Sequence, residues 1–565
     1  IFYVYINKRT YCVIMVSYKI IYGGGIKMFQ FETQIHKLRH DVLTAIARLG
    51  KEDNLTREAM DNIQYEIIKG EKPTYRCCVY KERAIISERV NVSMGLQPGQ
   101  DKIDLDTMDI EEDEQIIYIL EAACDSCPIN EFTVTDICRG CLAHRCKEAC
   151  KFGAITHVGG MAYINHELCK ACGMCKKACQ YDAISEVVRP CKSVCPTNAL
   201  GFDRENMKAM IHEDKCLNCG ACMSACPFGA ISDKSLIAPV ARKLVQKEKM
   251  YAVVAPAITG QVEANVTYGQ IKNAIKSLGF VDVLEAACGA DAVTVHESLE
   301  FAERMEKGEA FMTNSCCPGF VGYIEKTYPN HVGKISSTVS PMIASGRFIK
   351  SHEPDAKVVF IGPCTAKKSE AAKKELKGAV DYVLTFEEIM ALFEAFDIDL
   401  AKCSNEDIDD ASIFGRGFGA AGGLTKAIEN YLAEKGIGVN FEPVKISGSR
   451  EIKKTMTMAN LGKLEGNFIE GMMCEGGCIN GSGKFLSGAK VKATFDRKNS
   501  QSTKKSVLAN TKIKDFSNII VVDPRYYYED IDKLMQQESV DEVLYLYNAN
   551  TFFNDTSLSP VLNNE

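Results

Sequence analysis

Residues 470–484 read EGMMCEGGCINGSGK, with Cys474 and Cys478 four apart in a glycine-rich turn. Glycines at such a place let backbone and a bulky inorganic group approach closely. Two further loops carry thiols: MTNSCCPGF has Cys316 and Cys317, and FIGPCTAKKSE has Cys364. A cubane iron–sulfur cluster takes four thiolates, and the three loops offer five, so one is spare. Neighbours in extended chain point to opposite sides. Cys316 and Cys317 should therefore not both reach one cubane, and the choice falls on that pair. Each loop follows an apolar strand or segment. MYAVVAPAI, EAFMTNS and AKVVFIG read as buried strands, and 269–278, 295–307 and 386–396 read as helices. Such alternation predicts an α/β domain, with the thiols at the carboxyl ends of its strands, the usual crevice of open α/β sheets.

The composition is that of a soluble globular protein, 46% hydrophobic and 25% charged with net charge −7, and it gives no basic stripe for nucleic acid. Twenty-six cysteines, mostly in C-x2-C runs, indicate metal binding in a reducing, cytoplasmic compartment rather than disulfides. No uninterrupted apolar run is long enough to span a membrane. Residues 1–27, apolar but broken by Lys8, Arg9 and Lys19, read as a leader that is disordered or non-native. Residues 28–115 read as a helical N-terminal region and acidic linker. One helix should stop at Gly50, and a second should start after Asn54 as its cap. Cys77 and Cys78 have no partner pair at ligand spacing and read as structural.

Four cysteine groups follow between 124 and 226. Cys216, Cys219, Cys222 and Cys226 form the bacterial ferredoxin run, as do Cys169, Cys172, Cys175 and Cys179. Cys138, Cys141, Cys146 and Cys150 form a variant with two extra residues. In two-cluster ferredoxins the fourth cysteine serves the other cluster. One cubane should then take Cys138, Cys141, Cys146 and Cys179, and its partner Cys169, Cys172, Cys175 and Cys150. The tails KFGAI, QYDAI, PTNAL and PFGAI repeat after each fourth cysteine. They expose a fourth unit, because Cys191 and Cys195 are the back half of a run whose front half is Cys124 and Cys127. The 138–179 module is thus inserted into an outer run with sets Cys216, Cys219, Cys222, Cys195 and Cys124, Cys127, Cys191, Cys226. Zinc at Cys124 and Cys127 is the alternative, though it would strand Cys191 and Cys226.

The three catalytic loops resemble the signature segments of the [FeFe]-hydrogenase catalytic domain. The matching residues are Ser315-Cys316-Cys317-Pro318, Pro363-Cys364-x-x-Lys367-x-x-Glu370 and Glu470-x-Met472-x-Cys474-x-x-Gly477-Cys478. The resemblance covers about 245–515. It implies parallel or mixed sheets flanked by helices, with the active site between two halves, preceded by α+β ferredoxin-like cluster domains over 116–235. Residues 516–565 match nothing recognised. By resemblance, Cys317, Cys364, Cys474 and Cys478 hold the cubane of an H-cluster, whose diiron subsite carries CO, cyanide and a dithiolate. Lys367 would donate to cyanide. Ala255, Pro256, Ser340, Pro341, Pro363, Phe418 and Met472 would line the pocket. Cys316 becomes the proton carrier, with a relay through Glu297, Glu300 and Ser336. The expected activity is reversible reduction of protons to H2, with electrons from ferredoxin through about four accessory [4Fe–4S] clusters, in a monomer that needs maturation proteins. Rivals are a low-turnover sensory relative, an assembly relative without the diiron site, and a plain polyferredoxin. Asn314, Phe320, Gly362, Ala257, Met342, Ser482 and Lys484 depart from the family pattern and suggest a divergent branch.

Overall fold

A computed structural model describes residues 2–6, 9–13 and 31–527, except 97–114, 126, 128–131, 204, 407–409, 488 and 517–521. The expected acidic linker falls largely outside the described residues. Within residues 1–27, Phe2–Ile6 and Arg9–Val13 pair antiparallel with Phe2 opposite Val13.

Two small parallel sheets organise the catalytic half. The first runs Asp282–Glu285, Met250–Val254, Lys357–Ile361, Tyr382–Leu384, every neighbouring pair parallel. Its central strands MYAVV and KVVFI are nearly all buried, as strands covered on both faces must be. The second runs Met312–Thr313, Phe468–Met472, Pro443–Ser447. The loop of Cys364 leaves the carboxyl end of the first sheet. The loops of Cys316 and of Cys474 leave the carboxyl ends of the second. The thiols therefore meet where the carboxyl ends of strands from the two sheets come together, in keeping with the expected α/β domain.

The helix Ala286–Glu306 is nine residues longer at its start than the 295–307 expectation. Gly289 lets the helix Pro341–His352 come close: a Cβ there would meet the Ser345 Oγ at 2.4 Å and the Pro341 oxygen at 2.8 Å. At the N-terminal end, the helix Gln34–Lys51 passes Gly50, and Arg57–Ile67 is capped by Thr56 rather than Asn54. Thr56 accepts from the Ala59 N–H at 3.2 Å, filling the first-turn donor that Asn54 is too far upstream to reach. Cys78 caps the helix Val79–Ser93.

The cluster region is a set of short hairpins and one-turn helices. Each of the four repeats closes alike. The third residue after the fourth cysteine is left-handed: Gly153, Asp182, Asn198 and Gly229 have φ of 64°, 49°, 54° and 60°. The next N–H then donates back to the cysteine sulfur, from Ala154 to Cys150 at 3.3 Å, Ala183 to Cys179 at 3.4 Å, Ala199 to Cys195 at 3.2 Å and Ala230 to Cys226 at 3.4 Å. A short strand follows each time, at Ile155–Val158, Ile184–Glu186, Leu200–Phe202 and Ile231–Asp233. The inserted module is closed at its ends by antiparallel pairing of Phe132–Val134 with Ile184–Glu186.

Candidate functional site

Cys317 ends the chain before the helix Pro318–Thr327, Cys364 stands at the exit of Lys357–Ile361, and Cys474 and Cys478 flank the turn after Phe468–Met472. These four thiols are mutual electrostatic neighbours. Desolvation first, and then one another's charge, push Cys364 up to about 11, Cys478 up to about 12 and Cys474 well above the ordinary thiol range. Thiols gathered this way resist becoming thiolates unless a cationic centre arrives to compensate. The turn is shaped for close approach. Gly477 has φ of 100°, and a Cβ on it would lie 2.5 Å from the Ala421 nitrogen. The donor set and the glycine cradle fit a thiolate-bound iron–sulfur group.

Cys316 points elsewhere. Its sulfur accepts from the Asn314 side-chain amide at 3.1 Å, and desolvation followed by the Glu297 charge raises its pKa well above the thiol norm. Asn314, a departure from the expected threonine, also accepts from the Gly471 N–H at 2.8 Å and so ties the Cys316 loop to the Cys474 strand. Lys367 reaches the Cys316 carbonyl at 3.2 Å and Glu370 at 2.6 Å. Burial works against its charge, but Glu370 and the thiols of Cys364 and Cys316 outweigh that and raise its pKa.

Behind Cys316 the carboxylates line up on the helix Ala286–Glu306. Glu297 is fully buried, with the Ser315 N–H and the Ser336 hydroxyl nearby but neither aligned for a good hydrogen bond to its carboxyl. Desolvation, then Glu300 and Glu470, push its pKa well above the carboxylate range, which favours its protonated form. Glu300 is the opposite case. It accepts from Ser336 Oγ at 2.7 Å, from the Ser337 N–H at 2.9 Å and from Arg304 at 2.7 Å. Arg304, one turn on, also donates to the Gly333 carbonyl, which brings the chain of polar groups toward the surface. Thr338 extends it sideways, with Ser336 Oγ at 3.1 Å and His296 Nδ1 at 2.9 Å. Asn314, Arg304 and Thr338 were not foreseen as site residues. Arg304 alone had a sequence signal, standing four residues after Glu300.

Of the expected pocket residues, Met472 and Ser340 are buried, and Ala255, Phe418 and Cys478 share one core with Cys316. Pro363 receives the Gly483 N–H on its carbonyl at 2.9 Å. Pro341 opens the helix that packs on Gly289, and Pro256 opens the turn Pro256–Gly260. Ser482, unusual for the tail, hydrogen-bonds Thr365 Oγ1 at 2.9 Å, and Thr365 donates to the Asn218 carbonyl at 2.7 Å.

That last contact reaches the accessory cysteines. Cys219 and Cys222 have Cys216 and Cys195 as charged neighbours, while Cys191 has Cys226 and Cys127. Cys127 in turn has Cys124 and Cys226. In the insert, Cys146 lies beside Cys179 and Cys141, and Cys175 beside Cys169 and Cys150. These neighbourhoods follow the crossed sets read from the spacing. Cys138 accepts from the Ala162 N–H, and Cys172 is exposed. Cys219 is also a neighbour of Cys364 and Cys474, and a Cβ on Gly319 would meet its Cβ at 3.7 Å. The innermost accessory set thus touches the site. Among the described residues, no three His, Cys, Asp or Glu side chains close on a single point, and no helix is long and apolar enough to cross a membrane.

Residues 248–482 match the family of the iron only hydrogenase large subunit, C-terminal domain. Residues 162–185 match the 4Fe-4S binding domain, and 185–237 an Fe-S cluster-binding domain. The chain is 30% identical to iron hydrogenase 1 of Clostridium pasteurianum over 38% of its own length and 45% of the relative's. It is 25% identical to the cytosolic Fe-S cluster assembly factor narfl of Xenopus tropicalis, over 37% of its length and 55% of the relative's. Both matches thus span about half of the relative. Among solved structures, the apo [FeFe]-hydrogenase of Chlamydomonas reinhardtii aligns with a TM-score of 0.41 and 22% identity, covering 47% of this chain and 88% of that one.

Proposed function

We propose that the chain is an iron-only hydrogenase large-subunit-like protein with 4Fe–4S domains, and that it interconverts protons and H2 with electrons from an acidic, ferredoxin-like carrier. The observation that carries this is the division of labour among five thiols. Cys317, Cys364, Cys474 and Cys478 neighbour one another, while Cys316 lies beside the buried carboxyl of Glu297, whose pKa is raised.

Bound there, an H-cluster would supply the redox centre and the open metal position. The chain's residues do the rest. Lys367, held charged by Glu370, presents an ammonium beside the Cys316 loop, where it suits an anionic ligand. Cys316 holds the proton nearest the site, and Glu297 stands ready to replace it. Glu300, hydrogen-bonded to Arg304, Ser336 and the Ser337 N–H, is the opposite pole of the relay, with Ser336 between the two carboxylates. The apolar enclosure of Phe418, Ala255 and Met472 keeps bulk water out. The sixteen accessory cysteines would hold four cubanes, the innermost against Cys364 and Cys474. Cytoplasmic location, a monomeric state and dependence on maturation proteins belong to the same reading.

The assembly-factor relatives support a second reading, in which the fold is kept without the diiron site. Glu297 favours the first, since a carboxyl buried beside the Cys316 thiol is costly and has no evident use in a scaffold. The deciding experiment is anaerobic reconstitution with iron and sulfide, addition of a synthetic diiron complex, and an H2 assay with reduced viologen. Turnover that Cys316→Ala abolishes with cluster spectra intact is the expected result. A fully clustered protein that stays inactive would favour the scaffold.

A further inference from the structure

A groove of about 330 Å³ runs between the accessory-cluster region and the catalytic half, lined by Arg189, Lys192, Cys195, Phe202, Arg450 and Lys453 among others. Every charged residue lining it is a cation, in a chain whose net charge is −7. Its walls come from two places. Lys192 and Cys195 belong to the Pro190–Ser193 helix and the turn after it, and Arg450 and Lys453 to the first turns of Ser449–Asn460. Arg450 and Lys453 are exposed, and Arg189 forms the buried floor, donating to the Met207 carbonyl at 2.9 Å and lying over the Phe202 ring. Glu451, between the two exposed cations, is turned back to the Ser447 N–H at 2.8 Å.

What gives the groove a meaning is Cys195 in its wall. That thiol stands with Cys216, Cys219 and Cys222, the set that abuts Cys364 and Cys474. We propose that this groove is the docking surface for a small acidic electron-carrier protein, which delivers to the innermost accessory set directly and need not enter through the inserted module. The inference rests on the function proposed above and deepens it by placing the carrier. The transfer moves one electron: the carrier's reduced centre is oxidised by one and the cubane held by Cys195 is reduced by one, with no bond or proton changing. Charge complementarity favours a protein with an acidic face, because Lys192, Arg450 and Lys453 on two walls above the buried Arg189 suit a broad anionic surface and speed its encounter.

The test uses the full chain reconstituted with iron and sulfide, and a reduced acidic two-[4Fe–4S] bacterial ferredoxin as probe. Binding is read by calorimetry, and electron delivery by bleaching of cluster absorbance in stopped flow. Arg450→Glu with Lys453→Glu should lower the second-order bleaching rate on the order of tenfold at low salt, with the deficit shrinking as salt rises. Lys170→Glu with Lys177→Glu makes the same charge change on the inserted module and should cost much less. Bleaching by dithionite controls for intact clusters. Equal losses in the two double variants, or a loss confined to the inserted module, would overturn the groove. So would saturable binding of pyrophosphate there without any ferredoxin binding, which would make it a small-anion site. A chain that takes up no iron–sulfur would instead defeat the functional reading beneath it.

Discussion

Replacing Glu297 by Met keeps the side chain's length and removes its carboxyl. Glu297 is buried, and its folded pKa is raised, by desolvation first, well above the ordinary 4.5. The folded chain therefore holds a proton that the unfolded chain releases. Such a group contributes its full stability below the unfolded pKa and loses it as pH rises toward the folded pKa. The loss is about 1.4 kcal/mol per pH unit across the interval between the unfolded and folded pKa. Glu297→Met lacks this liability, so its stability relative to wild type should grow as pH rises through that interval. For a body the size of the catalytic half each unit is a widening of roughly 2–4 °C in Tm. Thermal unfolding of the cluster-loaded but diiron-free protein, followed at pH 6, 7 and 8, reads it directly. Turnover of the diiron-loaded variant should fall by about 10² or more, since the relay loses its carrier. A Tm difference that stays flat or narrows toward pH 8 would refute the claim that Glu297 is a neutral carboxyl in the folded protein.

Iron content of the reconstituted chain should be roughly 22 per molecule with four accessory cubanes and the complete active site, against roughly 18 with three; colorimetric iron and mass measurement under native conditions distinguish them. Gly477→Ala should prevent assembly at the catalytic cysteines while leaving the accessory clusters, because its Cβ would strike the Ala421 nitrogen at 2.5 Å; spectra of the two cluster populations separate the effects. Glu300→Gln should slow turnover strongly without lowering iron content, and an unchanged rate would mean that protons leave by another route. Asn314→Ala removes the donor to the Cys316 sulfur and the acceptor for Gly471; it should cost about 1–3 kcal/mol of stability, seen in denaturant unfolding.

The catalytic loops could be read from the chain because spacing alone restricts which thiols can share a centre, and the strands before them are apolar runs. The crossed accessory sets are inferred on the same kind of reasoning, since the tails after Cys150, Cys179, Cys195 and Cys226 repeat. Other parts were not. The helix Ala286–Glu306 begins with AACGADAV, a small-residue stretch without helical amphipathicity, because that end packs against Pro341 and Ser345 rather than facing solvent. Thr338 and His296 join the polar chain only through tertiary contact. So does Lys368, which looks like a surface lysine but is buried between Asp233 and Glu388 at 2.8 and 3.0 Å, joining the last accessory strand to the catalytic half. The segment after 516 had no recognisable pattern, yet Val522 bridges Thr338 and the Asp523 N–H donates to the Ser337 carbonyl, laying it across the relay.

The antiparallel clasp of Phe132–Val134 on Ile184–Glu186 brings the two ends of the inserted module side by side. A segment whose entry and exit lie together can be cut out and the gap sealed by a tight turn, with no strand of the host redirected. A shortened chain joined just outside that clasp would keep Cys124, Cys127, Cys191, Cys195 and the 216–226 run in register. Evolution, or an engineer, could therefore lengthen or shorten this molecular wire in steps of two cubanes.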